Sequence, residues 1–212
     1  MAKEPASASD LHKLLAKTGC VKFGVFKLKK KLSPYYLDLK LIQSYPSAMN
    51  TVISTYEDMA KNKIGIENFS RISGIPVAGL SFASILSYRL EKPFLYLKEA
   101  AKIHGREKKV DGVLSPGDRV LLVDDVVTSG RSILDAVSII RGEGGTVTDS
   151  LVLIDREEGG VEHVSKAGVR VHSFTKISDI AKNLYEAELI DRTKFEEILK
   201  QTAKIPAAKV ST

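Results

Sequence analysis

The feature that most constrains this chain is a short apolar run that ends in two adjacent carboxylates and leads into a helix. The segment reads Arg-Val-Leu-Leu-Val-Asp-Asp-Val-Val-Thr-Ser-Gly-Arg-Ser from Arg119 to Ser132, and an apolar helical pattern follows it. A buried parallel strand over residues 120–123 would place Asp124 and Asp125 at the carboxyl edge of a sheet, where open α/β folds bind ligands. The following turn supplies backbone N–H groups, hydroxyls and a positive helix end, which together favour a phosphate group.

Each of these residues also has an ordinary structural explanation when it is taken alone. Two carboxylates are common at a strand end, and Thr128 or Ser129 is a normal helix N-cap. The combination is more specific than its parts. The chain has neither a G-x-x-x-x-G-K-[ST] run nor a G-x-G-x-x-G turn that opens a helix after a strand. Carboxylates beside a phosphate site therefore suggest hydrogen bonds to sugar hydroxyls, or help in holding a hydrated metal.

Short apolar runs alternate with helical stretches along most of the chain. Strands are predicted at 67–72, 94–98, 120–123, 147–154 and 169–174, and helices at 46–60, 76–90, 129–141, 161–167 and 177–184. This alternation is typical of βαβ crossovers and predicts an α/β fold with a mainly parallel, doubly wound sheet and helices on both faces. A short helix and two strands at 21–28 and 35–40 come first and predict an N-terminal helix and β-hairpin.

The 212 residues are enough for one α/β domain, which we predict over 1–212. It divides into an N-terminal subdomain of about 9–44 and a core of 45–202. A mobile loop is expected at about 98–112, within a polar stretch, 99–117, that carries no predicted core element. A frayed tail is expected at 203–212.

The charge balance points to an anionic partner. Thirty-two Lys and Arg against 26 Asp and Glu leave a net charge of +6, which alone does not distinguish nucleic acid, a membrane surface or a small phosphorylated molecule. Cys20 is the one cysteine, so an intramolecular disulfide and a cysteine-based zinc site are excluded. Without an apolar leader or a run of ~20 apolar residues, we expect a cytoplasmic protein with no membrane partner.

The acidic-pair segment resembles the phosphoribosyl pyrophosphate (PRPP) motif of the type I phosphoribosyltransferases. The resemblance implies the fold of that family and a hood formed by the N-terminal subdomain. It implies that Asp124 and Asp125 bind the ribose 2′- and 3′-hydroxyls and that Thr128 to Ser132 hold the 5′-phosphate. It also implies Mg²⁺, held mainly by PRPP and water, with the two aspartates as candidate ligands. The implied PRPP-binding residues of this segment are Asp124, Asp125, Val126, Val127, Thr128, Ser129, Gly130, Arg131 and Ser132.

Three further segments resemble the orotate phosphoribosyltransferases. Phe-Lys-Leu-Lys at 26–29 and Ser-Pro-Tyr-Tyr-Leu-Asp-Leu at 33–39 resemble the hairpin that contacts the pyrimidine. The implied orotate-binding residues there are Lys29, with Lys27, Lys30 and Lys31 as alternatives, then Tyr35 and Tyr36, with Thr128 from the acidic-pair segment.

The second segment, at 151–160, resembles the family's Asp-Arg-x-x-Gly run and implies that Arg156 binds the orotate carboxylate. A guanidinium can hold a carboxylate by two parallel hydrogen bonds. The alternative is a surface ion pair of Arg156 with a neighbouring acid, which contributes little stability.

Residues 97–105 resemble the family's catalytic loop, with leucine at 97 in place of arginine and one extra residue before Lys102. The resemblance implies that Lys98, Lys102 and His104 are catalytic residues around the pyrophosphate, acting in the neighbouring subunit of a homodimer. A solvated charged loop is the alternative. A weaker match at 69–76 suggests a pyrophosphate loop with Arg71, Ser73 and Gly74, and an ordinary strand-to-helix turn is its alternative.

The implied activity is transfer of the phosphoribosyl group from PRPP to N1 of orotate, a step of pyrimidine synthesis. The basic residues then form an electrostatic funnel for two anionic substrates. Two alternatives remain open: a purine or xanthine phosphoribosyltransferase, and a PRPP-sensing regulator that binds nucleic acid without turnover. The tyrosine pair and Arg156 argue against the first, and the lysine–histidine loop argues against the second; no nucleic-acid partner is expected.

Overall fold

The computed structural model describes residues 7–28, 31–98 and 109–203 of the chain. These residues form seven α-helices and eight β-strands. In chain order they are α1 (Ala8–Lys17), β1 (Val21–Leu28), β2 (Lys31–Leu37), α2 (Pro46–Met59), β3 (Arg71–Gly74), α3 (Ala78–Arg89), β4 (Phe94–Leu97), β5 (Val110–Asp111), β6 (Val120–Val127), α4 (Arg131–Gly142), β7 (Asp149–Asp155), α5 (Gly160–Ser165), β8 (Arg170–Lys176), α6 (Ile177–Glu186) and α7 (Arg192–Ala203).

Six strands form the central sheet, in the order β5-β4-β3-β6-β7-β8. The pairs are parallel except β4 with β5, which is antiparallel. Side chains of β6 alternate between the faces: Leu121 and Val123 join the apolar cluster that holds α1, α2, α3 and α6, whereas Leu122 joins the cluster that holds α4 and α5. The prediction of a mainly parallel sheet covered on both faces is confirmed.

The N-terminal hairpin forms its own two-stranded sheet, and its second strand starts earlier than predicted. Phe23 pairs with Tyr35 and Phe26 pairs with Ser33, so the register shifts opposite Pro34. Proline has no N–H to donate, which is why the ladder is irregular there rather than at a turn. Strand β2 therefore begins at Lys31, and residues 39–44 form a 3₁₀ turn instead of continuing a strand to residue 40.

The hairpin and α1 are packed onto the rest of the molecule. Leu11, Leu15 and Tyr35 are fully buried and lie in the same apolar cluster as Ile177 and Leu184 of α6. The apolar core thus continues across the boundary between the hood and the α/β core. Our division of a single domain at residue 45 stays a prediction.

Two local predictions were wrong, and one helix was not predicted. Strand β3 spans Arg71–Gly74 rather than 67–72, because a short 3₁₀ turn precedes it. The stretch 99–117 does contain a core residue: Val110 is fully buried where β5 pairs with β4. Helix α7 was not predicted, because its sequence is largely polar and its fully buried anchor is a single residue, Ile198.

None of the helices in the described part of the chain is long and apolar enough to cross a membrane.

Candidate active site

The site lies where neighbouring strands of the sheet have different lengths. Strand β3 ends at Gly74 beside Val123, while β6 continues past that point and pairs with β7 as far as Val127 and Asp155. The acidic pair was predicted to follow the strand. It lies inside the strand instead, and the end of β3 opens space next to it.

A cleft of about 370 Å³ occupies this space. Four segments line it: the end of the hairpin, the turn that leads into α3, the acidic pair with the loop after it, and the end of β7. The lining residues are Leu37, Asp38, Leu39, Lys40, Pro76, Val77, Ala78, Asp124, Asp125, Val126, Thr128, Ser132 and Arg156. The cleft therefore brings Asp124 and Asp125, which are predicted to bind the ribose, together with Arg156, which lies about 30 residues further along the chain.

Both aspartates face this cleft although they are consecutive in a strand. In a regular strand they would face opposite sides of the sheet. Leu121, Val123 and Val126 share one apolar cluster while Val127 joins the other, so the alternation breaks across the pair. Each aspartate also accepts the next backbone N–H on its own Oδ1, at 2.9 Å.

Burial makes the acidic pair electrostatically unfavourable in the free protein. Asp124 is only 7 % exposed, and loss of hydration, together with the charge of Asp125, raises its pKa well above the usual range. Burial raises the pKa of Asp125 as well, and the nearby Lys40 partly opposes that rise. Such carboxylates gain from a ligand that donates hydrogen bonds to them.

Tyr56 of α2 stabilises the backbone of the acidic pair. Its hydroxyl donates a 2.6 Å hydrogen bond to the carbonyl oxygen of Asp124. Burial raises the pKa of Tyr56 well above its usual value, and the charges of both aspartates act in the same direction. Tyr56 therefore stays a neutral donor. Sequence reasoning had assigned it only to the helical apolar pattern.

Residues 126–132, here called the phosphate loop, surround a second pocket of about 70 Å³ with Asp124 and Ile133. Gly130 has φ 77° and precedes the first residue of α4. The first N–H groups of a helix have no partner within the helix, so they can bind an anion placed there. The structure thus brings the predicted phosphate-binding residues around one pocket.

A second glycine and a histidine hold the phosphate loop from α5. A side-chain carbon at Gly160 would lie 2.4 Å from the Thr128 carbonyl oxygen and 2.9 Å from the Gly130 nitrogen. Nδ1 of His163 lies 2.9 Å from the Ser129 carbonyl oxygen, a hydrogen bond that needs the proton on Nδ1. Neither residue was predicted, because both lie about 30 residues beyond the loop that they support.

The structure does not support the predicted pyrophosphate loop. Arg71 lies at the amino end of β3, where it contacts Asp118 at 3.2 Å and the Val113 carbonyl oxygen at 3.0 Å. The side chain of Ser73 is buried and donates to the Leu95 carbonyl oxygen. Neither side chain lines the cleft, because Arg71 lies at the amino end of β3 and the Ser73 hydroxyl donates away from it, so their part in binding an anion stays a prediction that these contacts do not support.

Gly74 is required for packing rather than for anion access. Its added carbon would lie 2.6 Å from the Gly79 carbonyl oxygen, and one on Gly79 would lie 2.4 Å from the Val123 carbonyl oxygen and 3.2 Å from Oδ1 of Asp124. The start of α3 therefore packs directly against the acidic pair. The turn that follows, at Pro76 and Val77, lines the cleft, so the assignment of residues 69–76 to a pyrophosphate loop or to an ordinary strand-to-helix turn stays a prediction.

Arg156 is held by several contacts at the hairpin side of the cleft. Its Nε donates to the Tyr35 hydroxyl at 3.2 Å, its guanidinium lies over the Tyr35 ring at 4.9 Å from the centroid, and Nη2 is 2.9 Å from Oε1 of Glu158. Gln201 of α7 contacts the same Glu158 oxygen at 3.4 Å. We call Arg156, Tyr35, Glu158 and Gln201 the arginine cluster.

The two predicted tyrosines have different surroundings. Tyr35 is fully buried beneath Arg156, and burial raises its pKa, so it supports the arginine rather than lining the cleft. Tyr36 packs against Phe26, with ring centroids 5.7 Å apart, and is not among the cleft-lining residues. The structure therefore does not bring Tyr36 to the ligand space, because adjacent strand residues face opposite sides.

Of the three predicted catalytic residues, Lys98 is the one that lies within the described part of the chain. Lys29, Lys102 and His104 lie outside the described residues. Lys98 donates its backbone N–H to the Lys109 carbonyl oxygen at 3.0 Å, and its Nζ lies 3.0 Å from Oδ1 of Asp111. Lys98 is thus bonded at the base of the loop, at the carboxyl edge of β4, and does not line the cleft.

The charges of the cleft differ from the predicted positive funnel. Its lining includes three carboxylates, Asp38, Asp124 and Asp125, and two cations, Lys40 and Arg156. Lys40 was not predicted, although it directly follows the recognised hairpin motif. The nearest carboxylate oxygen to its Nζ is 3.7 Å away, on Asp38. A positive funnel over this cleft would have to come from residues outside the described ones.

Protein ligands for a metal are sparse in the described ranges. Across 7–28, 31–98 and 109–203, no group of three or more His, Cys, Asp or Glu side chains is arranged to hold an ion. The acidic pair supplies two hard oxygen donors, which suit Mg²⁺ only if the remaining ligands come from substrate and water.

Comparison with known proteins agrees with this geometry. Residues 52–183 match the sequence pattern of the phosphoribosyl transferase domain family. The orotate phosphoribosyltransferase of Cenarchaeum symbiosum is 37 % identical over 177 residues, 83 % of this chain and 88 % of that protein.

Solved structures show the same fold. The orotate phosphoribosyltransferase of Aeropyrum pernix has a TM-score of 0.75 and 32 % identity over 85 % of this chain and 99 % of that one. The UMP synthase of Leishmania donovani has a TM-score of 0.84 and 28 % identity over 94 % of this chain, which spans 43 % of that longer protein. The match of sequence, fold and cleft together shows that this chain belongs to the phosphoribosyltransferase family and, within it, to the orotate phosphoribosyltransferases.

Proposed function

We propose that this chain transfers the 5-phosphoribosyl group from PRPP to N1 of orotate, giving orotidine 5′-monophosphate and pyrophosphate. The observation that carries the proposal is the common cleft, which is lined by the acidic pair, by residues of the phosphate loop and by Arg156. One side has the chemistry for a phosphorylated sugar, and the other has a cation for a carboxylate. A purine acceptor has no carboxylate to use that cation.

Asp124 and Asp125 bind the ribose hydroxyls of PRPP in this mechanism. Hydroxyl donors replace the hydration that burial removes from the two carboxylates, so binding relieves the unfavourable charge of the free protein. Thr128 to Ser132 hold the 5′-phosphate through backbone N–H groups and hydroxyls at the start of α4. Together these contacts fix C1′ of the sugar in the cleft.

Arg156 binds the carboxylate of orotate and turns its N1 toward C1′. N1 attacks C1′ with inversion as the C1′–O bond to pyrophosphate breaks, and the proton that N1 gives up passes to the departing pyrophosphate or to water. Positive charge develops on the ribose and negative charge on the leaving group, so groups that bind the departing pyrophosphate more tightly accelerate the reaction. We assign that role to Lys98, Lys102 and His104, with a proton from His104 as one contribution.

Mg²⁺ would supply charge neutralisation and orientation of the pyrophosphate oxygens. Asp124 and Asp125 are the residues of the cleft that fit it, as oxygen donors beside the sugar. Because two carboxylates make an incomplete ligand set, we propose that PRPP and water would supply most of the ligands of the ion.

Three expectations from the sequence stay predictions. They are a homodimer, a catalytic loop that acts in the neighbouring subunit, and a cytoplasmic location. The position of Lys98 outside the cleft lining of its own chain supports the second.

The test is an absorbance assay with PRPP and Mg²⁺ in which orotate, uracil, hypoxanthine and xanthine are compared side by side. The proposal predicts loss of orotate absorbance, release of pyrophosphate, and much slower reaction with the three bases that lack a carboxylate. Turnover of a purine without turnover of orotate would contradict it. Tight PRPP binding with no turnover of any base would indicate a regulator instead.

A further inference from the structure

The guanidinium of Arg156 has a directional set of partners. Nε faces the Tyr35 hydroxyl and Nη2 faces Glu158, and these two nitrogens lie along one edge of the group. Within the described residues, Nη1 has no polar protein partner. The end of the guanidinium that carries Nη1 is therefore the part left for a ligand carboxylate, while the side edge is held by the protein.

The Arg156–Glu158 pair is shielded from water. The two side chains are 13 % and 12 % exposed, whereas those of the exposed pair Arg131–Asp135 are 85 % and 69 % exposed. A shielded pair is weakly screened, and removal of one partner leaves the other charge uncompensated. Glu158 therefore has a strong influence on where the guanidinium lies.

Glu158 is in turn contacted from the C-terminal helix. Nε2 of Gln201 lies 3.4 Å from Oε1 of Glu158, the oxygen that also faces Arg156. Helix α7 is fixed there by the fully buried Ile198 and by the stacking of Phe195 on Tyr185, with centroids 5.0 Å apart. A residue 45 positions after Arg156 thus contributes to its orientation.

We propose that Glu158, supported by Gln201, is a positioning residue for recognition of the acceptor carboxylate. Glu158 and Tyr35 fix the side edge of the guanidinium, so its free end is aimed into the cleft before the acceptor arrives. A preorganised arginine loses little conformational freedom on binding, and this raises affinity for the carboxylate. The inference rests on the proposed function, because it needs an acceptor that carries a carboxylate.

The first test compares Glu158→Ala with the wild-type enzyme in steady-state kinetics. We expect the orotate KM to rise about tenfold, as for loss of one charge-assisted contact, with kcat and the PRPP KM changed less than about twofold. Glu158→Gln keeps an oxygen that can accept from Nη2 and should restore most of the loss. Glu196→Ala, an exposed acid on α7, is the matched control and should behave as wild type.

The second readout separates positioning from general damage to the cleft. Uracil has the pyrimidine ring of orotate without its carboxylate, so its inhibition constant should be the same in Glu158→Ala and wild type. If both orotate and uracil weaken equally, Glu158 maintains the shape of the cleft and the inference is wrong. An orotate KM that stays within about twofold of wild type in Glu158→Ala would also overturn it.

Folding and the proposed function are controlled separately. If Glu158→Ala does not give a folded protein, Gln201→Ala takes its place: a rise in orotate KM of about twofold or more supports the inference, and no change contradicts it. Failure of the wild-type chain to consume orotate would instead contradict the proposed function.

Discussion

The phosphate loop and the arginine cluster both contribute to one cleft, the cluster through Arg156, but they are built in opposite ways. The phosphate loop is a continuous segment of seven residues for which we propose phosphate binding mainly through backbone N–H groups, and Gly160 and His163 of α5 pack against it. The arginine cluster takes one side chain from β2, two from the turn after β7 and one from α7. The first is a local conformation, whereas the second exists only when distant elements pack together.

This difference has consequences for how each region responds to change. A backbone site depends on close packing, so the smallest added side chain can disturb it. A side-chain cluster depends on charge and on the position of its supporting helix, so it can be weakened in steps. Substitutions in one region should therefore alter one substrate and leave the other unaffected.

The largest effect is expected outside both regions, at the loop lysine. We expect Lys102→Ala to lower kcat about 10²- to 10³-fold, because a cation that stabilises the leaving pyrophosphate acts in the transition state. The KM for orotate should change little, which is checked by steady-state kinetics of both substrates. Lys166→Ala, an exposed lysine on the turn after α5, serves as the control. Unchanged turnover would remove Lys102 from the catalytic residues.

Asp124→Asn separates the function of the phosphate side from its stability. The amide keeps the Oδ1 acceptor but loses the charge, so PRPP affinity should fall about 10- to 100-fold, as for hydrogen bonds to charged groups. Burial raises the pKa of Asp124 in the folded state. At pH values above the pKa of the unfolded chain, the folded protein therefore holds more protons than the unfolded one, and the free energy of unfolding falls as pH rises. At neutral pH the variant should therefore unfold at a higher temperature.

Calorimetry and PRPP titration check both parts of that expectation. Asp135→Asn, an exposed carboxylate on α4, is the control and should leave both unchanged. A destabilised Asp124→Asn protein would contradict the unfavourable burial of this carboxylate, whatever happens to its PRPP affinity.

Gly160→Ala tests whether α5 shapes the phosphate loop. The added methyl group would overlap the Thr128 carbonyl oxygen, and overpacking of this kind costs about 1–3 kcal/mol. We expect weaker PRPP binding with an unchanged uracil inhibition constant, measured by titration and competition. Gly142→Ala, where the new carbon would meet nothing within 4 Å, is the matched control. Equal behaviour of the two variants would show that the loop is independent of α5.

The smallest effect is expected where α1 of the N-terminal subdomain contacts β8 and α6. His12 of α1 is buried between Thr175, at 2.8 Å from Nε2, and Asn183, at 2.7 Å from Nδ1. Burial lowers the pKa of His12 below the ordinary value of a histidine side chain, and the charge of Asp179 opposes this. The unfolded chain then binds more protons just below pH 6.5, so the free energy of unfolding should fall as pH drops through that region.

His12→Gln should flatten this part of the stability curve, measured by urea unfolding between pH 5 and pH 8. An equal pH dependence in the variant and the wild type would assign the effect to other groups.

The same contrast explains what sequence could predict. The acidic pair and the phosphate loop could be identified from the sequence because the residues that form this part of the site are consecutive in the chain. Arg156 was identifiable through its resemblance to a family, but Glu158 appeared only as one of several acids beside it, and Gln201 lies in a helix with too few apolar residues to be predicted. The packing of Gly74 on Gly79 and of Gly130 on Gly160 is likewise invisible without the fold.

The predictions that the contacts do not support follow the same rule. Arg71 was assigned to an anion site from its position in the chain, but it lies at the amino end of β3 while ligands collect at the carboxyl end. Tyr35 and Tyr36 were both assigned to orotate from the resemblance of their segment to the family's hairpin, whereas strand alternation separates their side chains. The positive funnel was inferred from the basic segments 27–31 and 98–109 and from Arg156; it stays a prediction, because residues 29–30 and 99–108 lie outside the described ones.

The most direct test of the division between the two sides is Arg156→Ala, with the KM of both substrates measured in one series. The guanidinium supplies the charge for the acceptor carboxylate, so the orotate KM should rise by about tenfold or more while the PRPP KM stays within about twofold of wild type. A PRPP KM that rises with an unchanged orotate KM would contradict the assignment of the arginine cluster to the acceptor and, with it, the account of the cleft.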